Sequence, residues 1–441
     1  MKKRVYRADL SGVMNVPGSK SHTIRACLFA ALAEGESKIK NPLPSEDCLS
    51  ALAAIQQFGA LVEEKENLWS VKGAGRNFHL PEDVVNVGNS GSVLYFFTPV
   101  ASVMDGYSVF TGDSSIRTRP VKMMLDALGQ LGVESIITRA GKDAPPIVVR
   151  GPLKPGTVET PGKPSQYVSG ILIAASLVDG ITEINLSDPK ETPYLQMTID
   201  WMNDLGVKVE YTPDYRKLKV KGPFYYKAFD RVIPGDWEAA AFPMLAGLVT
   251  DSIITIEDID CSGSQGDQEV AEIMKKMGGD IILDSSASRV IIKGGNPLCG
   301  VDVNCASIPD AIPALAVLAV FASGTTRLMD IGVCRLKETD RINLMESQLK
   351  KLGVNVRSTE DSLEIEGLAK PGETPLEAGR RIKGGEIETF KDHRVAMAFA
   401  SGGLALEEDS ALVINDAQCC GVSFPGFFEA MERVGGRFSD L

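Results

Sequence analysis

The chain has 441 residues, too many for one ordinary hydrophobic core and enough for two or three domains. Its 44% hydrophobic and 24% charged residues are those of a soluble globular enzyme, and a formal net charge of −12 excludes non-specific binding to nucleic acid or to an anionic membrane. Any anionic ligand therefore has to be met by a local cluster of bases.

The basic start, Met1-Lys2-Lys3-Arg4, leads into alternating polar and apolar residues, so no signal peptide is expected, and no later apolar run has the length of a membrane span. The eight cysteines form no CxxC pair, and the three histidines, His22, His79 and His393, share no metal-ligand spacing with them. The expectation is of reduced thiols in a cytoplasm, with Cys419 and Cys420 as buried filler.

Down the chain one pattern recurs six times. An apolar, Ala-rich helix is followed by a turn, a strand, a loop, a second helix with one polar face, and an exit through glycine into another strand. The turns fall at Glu34-Gly35, Asp105-Gly106, Asp179-Gly180, Thr250-Asp251, Ser323-Gly324 and Glu408-Asp409, about 70 to 85 residues apart. The exits are Phe58-Gly59-Ala60, Leu131-Gly132-Val133, Leu205-Gly206-Val207, Met277-Gly278-Gly279, Leu352-Gly353-Val354 and Val434-Gly435-Gly436. The first helix, as in Ala26–Leu32 or Ile312–Ala319, has no polar face and has to be buried on every side. The second, as in Asn343–Lys351, can lie nearer solvent. Each repeat is then a two-layer α/β piece, and six of them predict two similar three-repeat domains. The similar stretches Val13–Ser19 and Arg231–Asp236 mark the crossings. They place residues 15–232 in one domain and residues 1–14 with 233–441 in the other, with a hinge at the two connections.

Polar residues gather at the starts of the first helices: Gly18-Ser19-Lys20-Ser21-His22-Thr23-Ile24-Arg25, Gly88-Asn89-Ser90-Gly91-Ser92, Lys163-Pro164-Ser165-Gln166-Tyr167, Gly235-Asp236-Trp237-Glu238, Ser307-Ile308-Pro309-Asp310 and Lys391-Asp392-His393-Arg394. Singly, their Ser, Asn and Asp residues are ordinary N-caps. Together they predict helix N-termini aimed into one cleft, where Lys20, Arg25, Arg119, Lys337, Arg341 and Arg394 add charge that the helix dipole disfavours. The stretch Arg335-Leu336-Lys337-Glu338-Thr339-Asp340-Arg341 shows the same crowding. Such a cluster calls for an anion bearing carboxylate or phosphate groups, and Asp310 and Glu338 are acids placed for proton transfer. A nucleotide P-loop is excluded, because GxxxxGK[ST] does not occur.

In these motifs the chain resembles the 5-enolpyruvylshikimate-3-phosphate synthase family over nearly its full length. The matching stretches are Pro17-Gly18-Ser19-Lys20-Ser21 with Arg25, Gly88-Asn89-Ser90-Gly91-Ser92, Arg117-Thr118-Arg119-Pro120, Ser165-Gln166, Ile308-Pro309-Asp310, Lys337-Glu338-Thr339-Asp340-Arg341 and Asp392-His393-Arg394. The resemblance implies a two-domain inside-out α/β barrel, six repeats with buried parallel helices, that closes on its substrates. It implies enolpyruvyl transfer from phosphoenolpyruvate to a hydroxyl of shikimate 3-phosphate, without metal or organic cofactor, by a monomer with no nucleic-acid or membrane partner. Carried over by motif, Lys20, Gly91 through its N–H, Arg119, Gln166, Arg341 and Arg394 contact phosphoenolpyruvate. Ser21, Arg25, Ser165, Gln166, Asp310 and Lys337, with Tyr194 nearby, contact the acceptor, and Asn89 counts among the substrate contacts. Asp310 takes the hydroxyl proton, while Lys20, Glu338 and His393 assist proton transfer at the methylene carbon.

The chain departs from the family's pattern at Val422, where a lysine is usual, and at Val333, where an asparagine is. The pair Tyr95-Phe96 replaces Arg-Pro. Pro164 and the segment Lys190-Glu191-Thr192-Pro193-Tyr194 replace two serines that hold the acceptor's phosphate. Because most changes fall on the acceptor side, two alternatives stand beside the leading reading: a paralogue with another hydroxylated anionic acceptor, and a non-catalytic anion-binding homologue. The sister family acting on UDP-N-acetylglucosamine fits less well, since Asp113-Ser114-Ser115-Ile116 lacks its loop cysteine.

Overall fold

Each predicted repeat folds into the same order of elements in the computed structural model, which describes residues 1–441. In the second repeat, strand Val85–Asn86 runs into helix Gly91–Ala101 and returns as Gly106–Thr111, parallel to it. Helix Lys122–Gln130 then leads to the hairpin of Glu134–Ile137 and Ile147–Gly151, which sets Ile147–Gly151 antiparallel beside Gly106–Thr111. The other repeats build four-stranded sheets with the same sequence of parallel, antiparallel and antiparallel pairings. Alternate strand residues face inward, as in Ile253–Glu257, where Ile254 and Ile256 are buried and Ile253 and Glu257 are exposed.

The first helix of each repeat is the inner one. Trp237–Val249, Ile312–Val320 and His393–Gly403 are buried at every position. Lys20–Leu32, Gly91–Ala101 and Ser165–Ala175 are buried except in the first turn. Each fully buried Leu, Ile, Val or Phe stabilises by roughly 1.5–3 kcal/mol, so packing and not helix propensity holds these segments. That explains why Pro99 and Pro243 are accommodated within them. The outer helices are half-buried; Glu269–Lys276 buries Val270, Ala271, Ile273 and Met274 and leaves charge outside.

Two backbone devices repeat with the fold. Every exit glycine, from Gly59 to Gly435, has a left-handed φ between 83° and 109°. The next residue then donates back into the helix, as Val133 N does to Leu128 O at 3.1 Å and Val354 N to Leu349 O at 3.2 Å. At the end of the third strand, Gly73, Gly151, Gly222, Gly294 and Gly367 lie so close to inner-helix ends that a Cβ would come within 1.8–2.3 Å of a carbonyl oxygen.

The chain closes its two sets of three repeats by borrowing strands. Asp230–Val232 supplies the first strand of the first repeat, parallel to Glu36–Lys40. Ser11–Asn15 does the same for the fourth repeat, beside Ile253–Glu257. In the sixth, Lys3–Tyr6 lies between Leu412–Ile414 and Arg437–Asp440, antiparallel to both. The result is two compact units, Gly18–Ile233 and Met1–Pro17 with Pro234–Leu441, each around its own apolar core. No helix is long and apolar enough to cross a membrane. The eight cysteines form no disulfide, and all but Cys299 are buried, Cys419 and Cys420 included.

Candidate active site

In the unit Gly18–Ile233 the polar groups sit at the starts of three inner helices. Ser19 caps Lys20–Leu32, its side chain accepting from His22 N. Lys20, the first helical residue, pairs with buried Asp47 at 3.2 Å. Ser21 contributes its carbonyl oxygen to Arg25 Nη1 at 3.0 Å. The Arg25 guanidinium is buried and also donates from Nε to Thr198 Oγ1 at 2.9 Å and from Nη2 to Tyr194 O at 2.7 Å, with the Phe96 ring 4.9 Å away. Arg25 thus ties the inner helix to the outer helix Thr192–Asp204. His22 Nδ1 accepts from Trp201 Nε1 at 2.9 Å, which leaves that nitrogen unprotonated because an indole can only donate.

The second helix start is capped by Ser90, which accepts from Val93 N. Asn89 Nδ2 is held by Asp113 at 2.7 Å. Arg119 is buried, and its Nη1 lies 3.5 Å from where a Cβ on Gly91 would stand, so the guanidinium and the helix's first N–H groups occupy one place. Tyr95 donates to Pro120 O at 2.7 Å and braces the Arg119 loop. At the third start, Ser165 is buried, Gln166 is half-buried, and Ser165 N donates to Glu191 Oε2 at 3.0 Å.

In the other unit the predicted residues form one ionic network. Asp310 forms ion pairs with Arg341 Nη1 at 2.5 Å, Arg394 Nε at 3.2 Å and Lys337 Nζ at 3.5 Å. Arg341, wholly buried, also holds Glu338 at 2.5 Å and Asp392 at 2.9 Å. Asp392 does three things at once: it caps the inner helix His393–Gly403 through Arg394 N, accepts from Thr339 Oγ1 at 2.9 Å and neutralises Arg341. Arg394 pairs with Glu238, the one carboxylate in the otherwise apolar helix Trp237–Val249. His393 is buried at the same helix start. Burial raises the Asp310 carboxyl, but Lys337, Arg394 and Arg341 outweigh it and hold the group well below the ordinary carboxylate range. Burial lowers Arg341, yet Asp392, Glu338 and Asp310 lift it well above the ordinary guanidinium value. Asp310 is therefore ionised and set among cations.

Sequence reasoning expected the bases near these helix starts to be destabilising until a ligand filled them. The structure differs: Asp47, Asp392 and Glu238 supply counter-charges within the protein. A buried guanidinium requires such a partner. An acid inside an apolar helix, as at Glu238, was the available signal. No group of three or more His, Cys, Asp or Glu side chains is placed to hold a metal ion.

Comparison with known proteins places the chain in a family. The family described as EPSP synthase (3-phosphoshikimate 1-carboxyvinyltransferase) matches residues 6–431. The chain is 39% identical to 3-phosphoshikimate 1-carboxyvinyltransferase of Acetivibrio thermocellus over 99% of both chains, and 37% identical to that of Methanococcus aeolicus over 98% of both. Among solved structures it resembles EPSP synthase of Acinetobacter baumannii, with a TM-score of 0.81 and 28% identity over 100% of both chains. It shares the fold of an enolpyruvyl transferase of Streptomyces tendae, with a TM-score of 0.78 and 17% identity over 99% of this chain and 98% of that one. The chain belongs to the EPSP synthase family.

Proposed function

We propose that this protein is a 3-phosphoshikimate 1-carboxyvinyltransferase, moving the enolpyruvyl group of phosphoenolpyruvate to the 5-hydroxyl of shikimate 3-phosphate with release of phosphate, a step of aromatic amino acid biosynthesis. The observation that carries the reading is Asp310, a buried carboxylate kept ionised by Lys337, Arg341 and Arg394. A carboxylate set among three bases suits a hydroxyl nucleophile and an anionic intermediate.

In this reading Asp310 takes the proton of the acceptor hydroxyl as its oxygen bonds to the substituted carbon of phosphoenolpyruvate. The methylene carbon gains a proton, with Lys20, Glu338 and His393 assisting, to give a tetrahedral intermediate. Loss of a proton from the new methyl group then expels phosphate and restores the double bond. Lys20, Arg119, Arg341 and Arg394, with Gly91 N–H and Gln166, bind phosphoenolpyruvate and offset the charge that builds on the intermediate. Ser21, Arg25, Ser165, Gln166 and Lys337, with Tyr194 nearby, serve the acceptor side, and Asn89 counts among the substrate contacts. The enzyme acts as a cytoplasmic monomer on these two small molecules. Phosphate release by the purified protein, dependent on both substrates and yielding the enolpyruvyl ether by mass, is the test. No turnover with shikimate 3-phosphate across a range of concentrations sinks the reading.

A further inference from the structure

The start of the inner helix Ser165–Ala175 already carries an anion that belongs to the chain. Glu191 is only 1% exposed, and its Oε2 accepts from Ser165 N at 3.0 Å. Its backbone has φ 52° and ψ 37°, a left-handed conformation that a residue with a side chain adopts when its surroundings hold it there. At the same helix end Ser165 Oγ is buried without a hydrogen-bond partner. Pro164, just before it, has no N–H and no hydroxyl to offer. An eleven-residue helix presents unsatisfied N–H groups and partial positive charge at this end, a place suited to phosphate or carboxylate. Glu191 occupies it, and Lys163 and Lys190 flank it, each paired with Asp188, at 2.8 and 3.4 Å.

We infer that Glu191 is a specificity-determining residue of the acceptor side, an internal anion at the start of helix Ser165–Ala175 that the phosphate of a phosphorylated acceptor has to displace. The inference rests on shikimate 3-phosphate being the acceptor. Two anions cannot share one helix end without mutual repulsion, so Glu191 weakens the binding of a phosphorylated acceptor while leaving the reacting hydroxyl and Asp310 untouched. A vacated site frees Ser165 N and offers Ser165 Oγ as a second partner for the phosphate.

The test compares Glu191→Ser and Glu191→Gln with the unaltered enzyme. Steady-state phosphate release at saturating phosphoenolpyruvate gives KM and kcat for shikimate 3-phosphate, and calorimetry gives the Kd of shikimate 3-phosphate and of unphosphorylated shikimate. The expected result is a fall of about tenfold or more in KM and Kd for shikimate 3-phosphate, kcat within about threefold, and shikimate affinity within about twofold. Melting temperature identifies a variant that fails to fold, and the other then carries the test. With the unaltered enzyme active, an unchanged or raised KM, or an equal gain for shikimate, overturns the role of Glu191. Absence of turnover in the unaltered enzyme overturns the proposed reaction and, with it, the premise on which the role of Glu191 rests.

Discussion

Replacing Asp310 by Asn keeps the shape of the side chain and removes its charge and its capacity to take a proton. Loss of one positioned base lowers kcat by about 10² to 10⁴, equivalent to roughly 2.7–5.4 kcal/mol of barrier. The same change leaves Lys337, Arg341 and Arg394 without a carboxylate that lies 2.5–3.5 Å from each of them. Breaking a buried ion pair costs about 3–5 kcal/mol, and the lower end applies here, because Arg341 keeps Glu338 and Asp392 and Arg394 keeps Glu238. For a unit of this size, about 3 kcal/mol lowers the melting temperature by about 6–12 °C. The assay pairs phosphate release at saturating substrates with calorimetric melting at the assay pH. Activity within threefold of the unaltered enzyme refutes Asp310 as the base and shifts that role to Glu338 or Lys20. A loss that only follows the unfolded fraction refutes a chemical role. The pH dependence supplies a sign: the folded-state pKa is depressed, so the stabilisation by Asp310 is full above about pH 4 and disappears as pH falls through the lower folded value. The difference in melting temperature between the two proteins accordingly narrows below about pH 4.

Three further outcomes are expected. Val422, half-buried in the segment Ala417–Val422 that packs on helix His393–Gly403, stands where the family usually has a lysine, and Val422→Lys should lower KM for phosphoenolpyruvate by about tenfold. An unchanged KM, with Lys391→Ala sharply raising it, means that exposed Lys391 has taken over the role. Asp392→Asn should cost about 3 kcal/mol of stability and also impair turnover through displacement of Arg341; chemical denaturation and kinetics read the two, and wild-type stability in the variant contradicts the pivot described for Asp392. Gly132→Ala, at φ 83° with only the flexible Lys154 side chain nearby, should destabilise by about 1–2 kcal/mol without altering KM for either substrate. Stability equal to the parent protein's argues against a conformational need at that exit.

The repeats were legible because two physical requirements leave marks in sequence. A helix without a polar face must be inside, as Ile312–Val320 is, and an outer helix ending in a left-handed turn favours glycine, as at Gly353. The α/β class with its buried helices followed from those marks. The counter-ions did not. Asp392 looks like any N-cap, and only the fold shows that its second oxygen meets Arg341, which lies in a different repeat. Glu238 is conspicuous in its apolar helix, but its partner Arg394 is not, and Glu191 is a single acid whose partner comes from a distant segment, so no local spacing reveals it. The internal contacts of Arg25 with Thr198 and Tyr194 were equally hidden, because they need the third repeat beside the first.

The borrowed strands impose an order on biosynthesis. Gly18–Ile233 is contiguous, so all of its sheets can close while later residues are still being made. Its partner unit has no such freedom: Lys3–Tyr6 is the inner strand of a sheet whose edge, Arg437–Asp440, is translated after the whole of Gly18–Ile233. At about 5–20 residues per second the ribosome separates those two strands by roughly 20 to 90 seconds. Until Leu412–Ile414 is made the first strand has neither neighbour, and Ser11–Asn15 waits until Ile253–Glu257 emerges. One unit thus matures early and the other only after Arg437–Asp440 has emerged, which makes Lys3–Tyr6 and Ser11–Asn15 the strands most exposed to wrong pairing or to capture by chaperones.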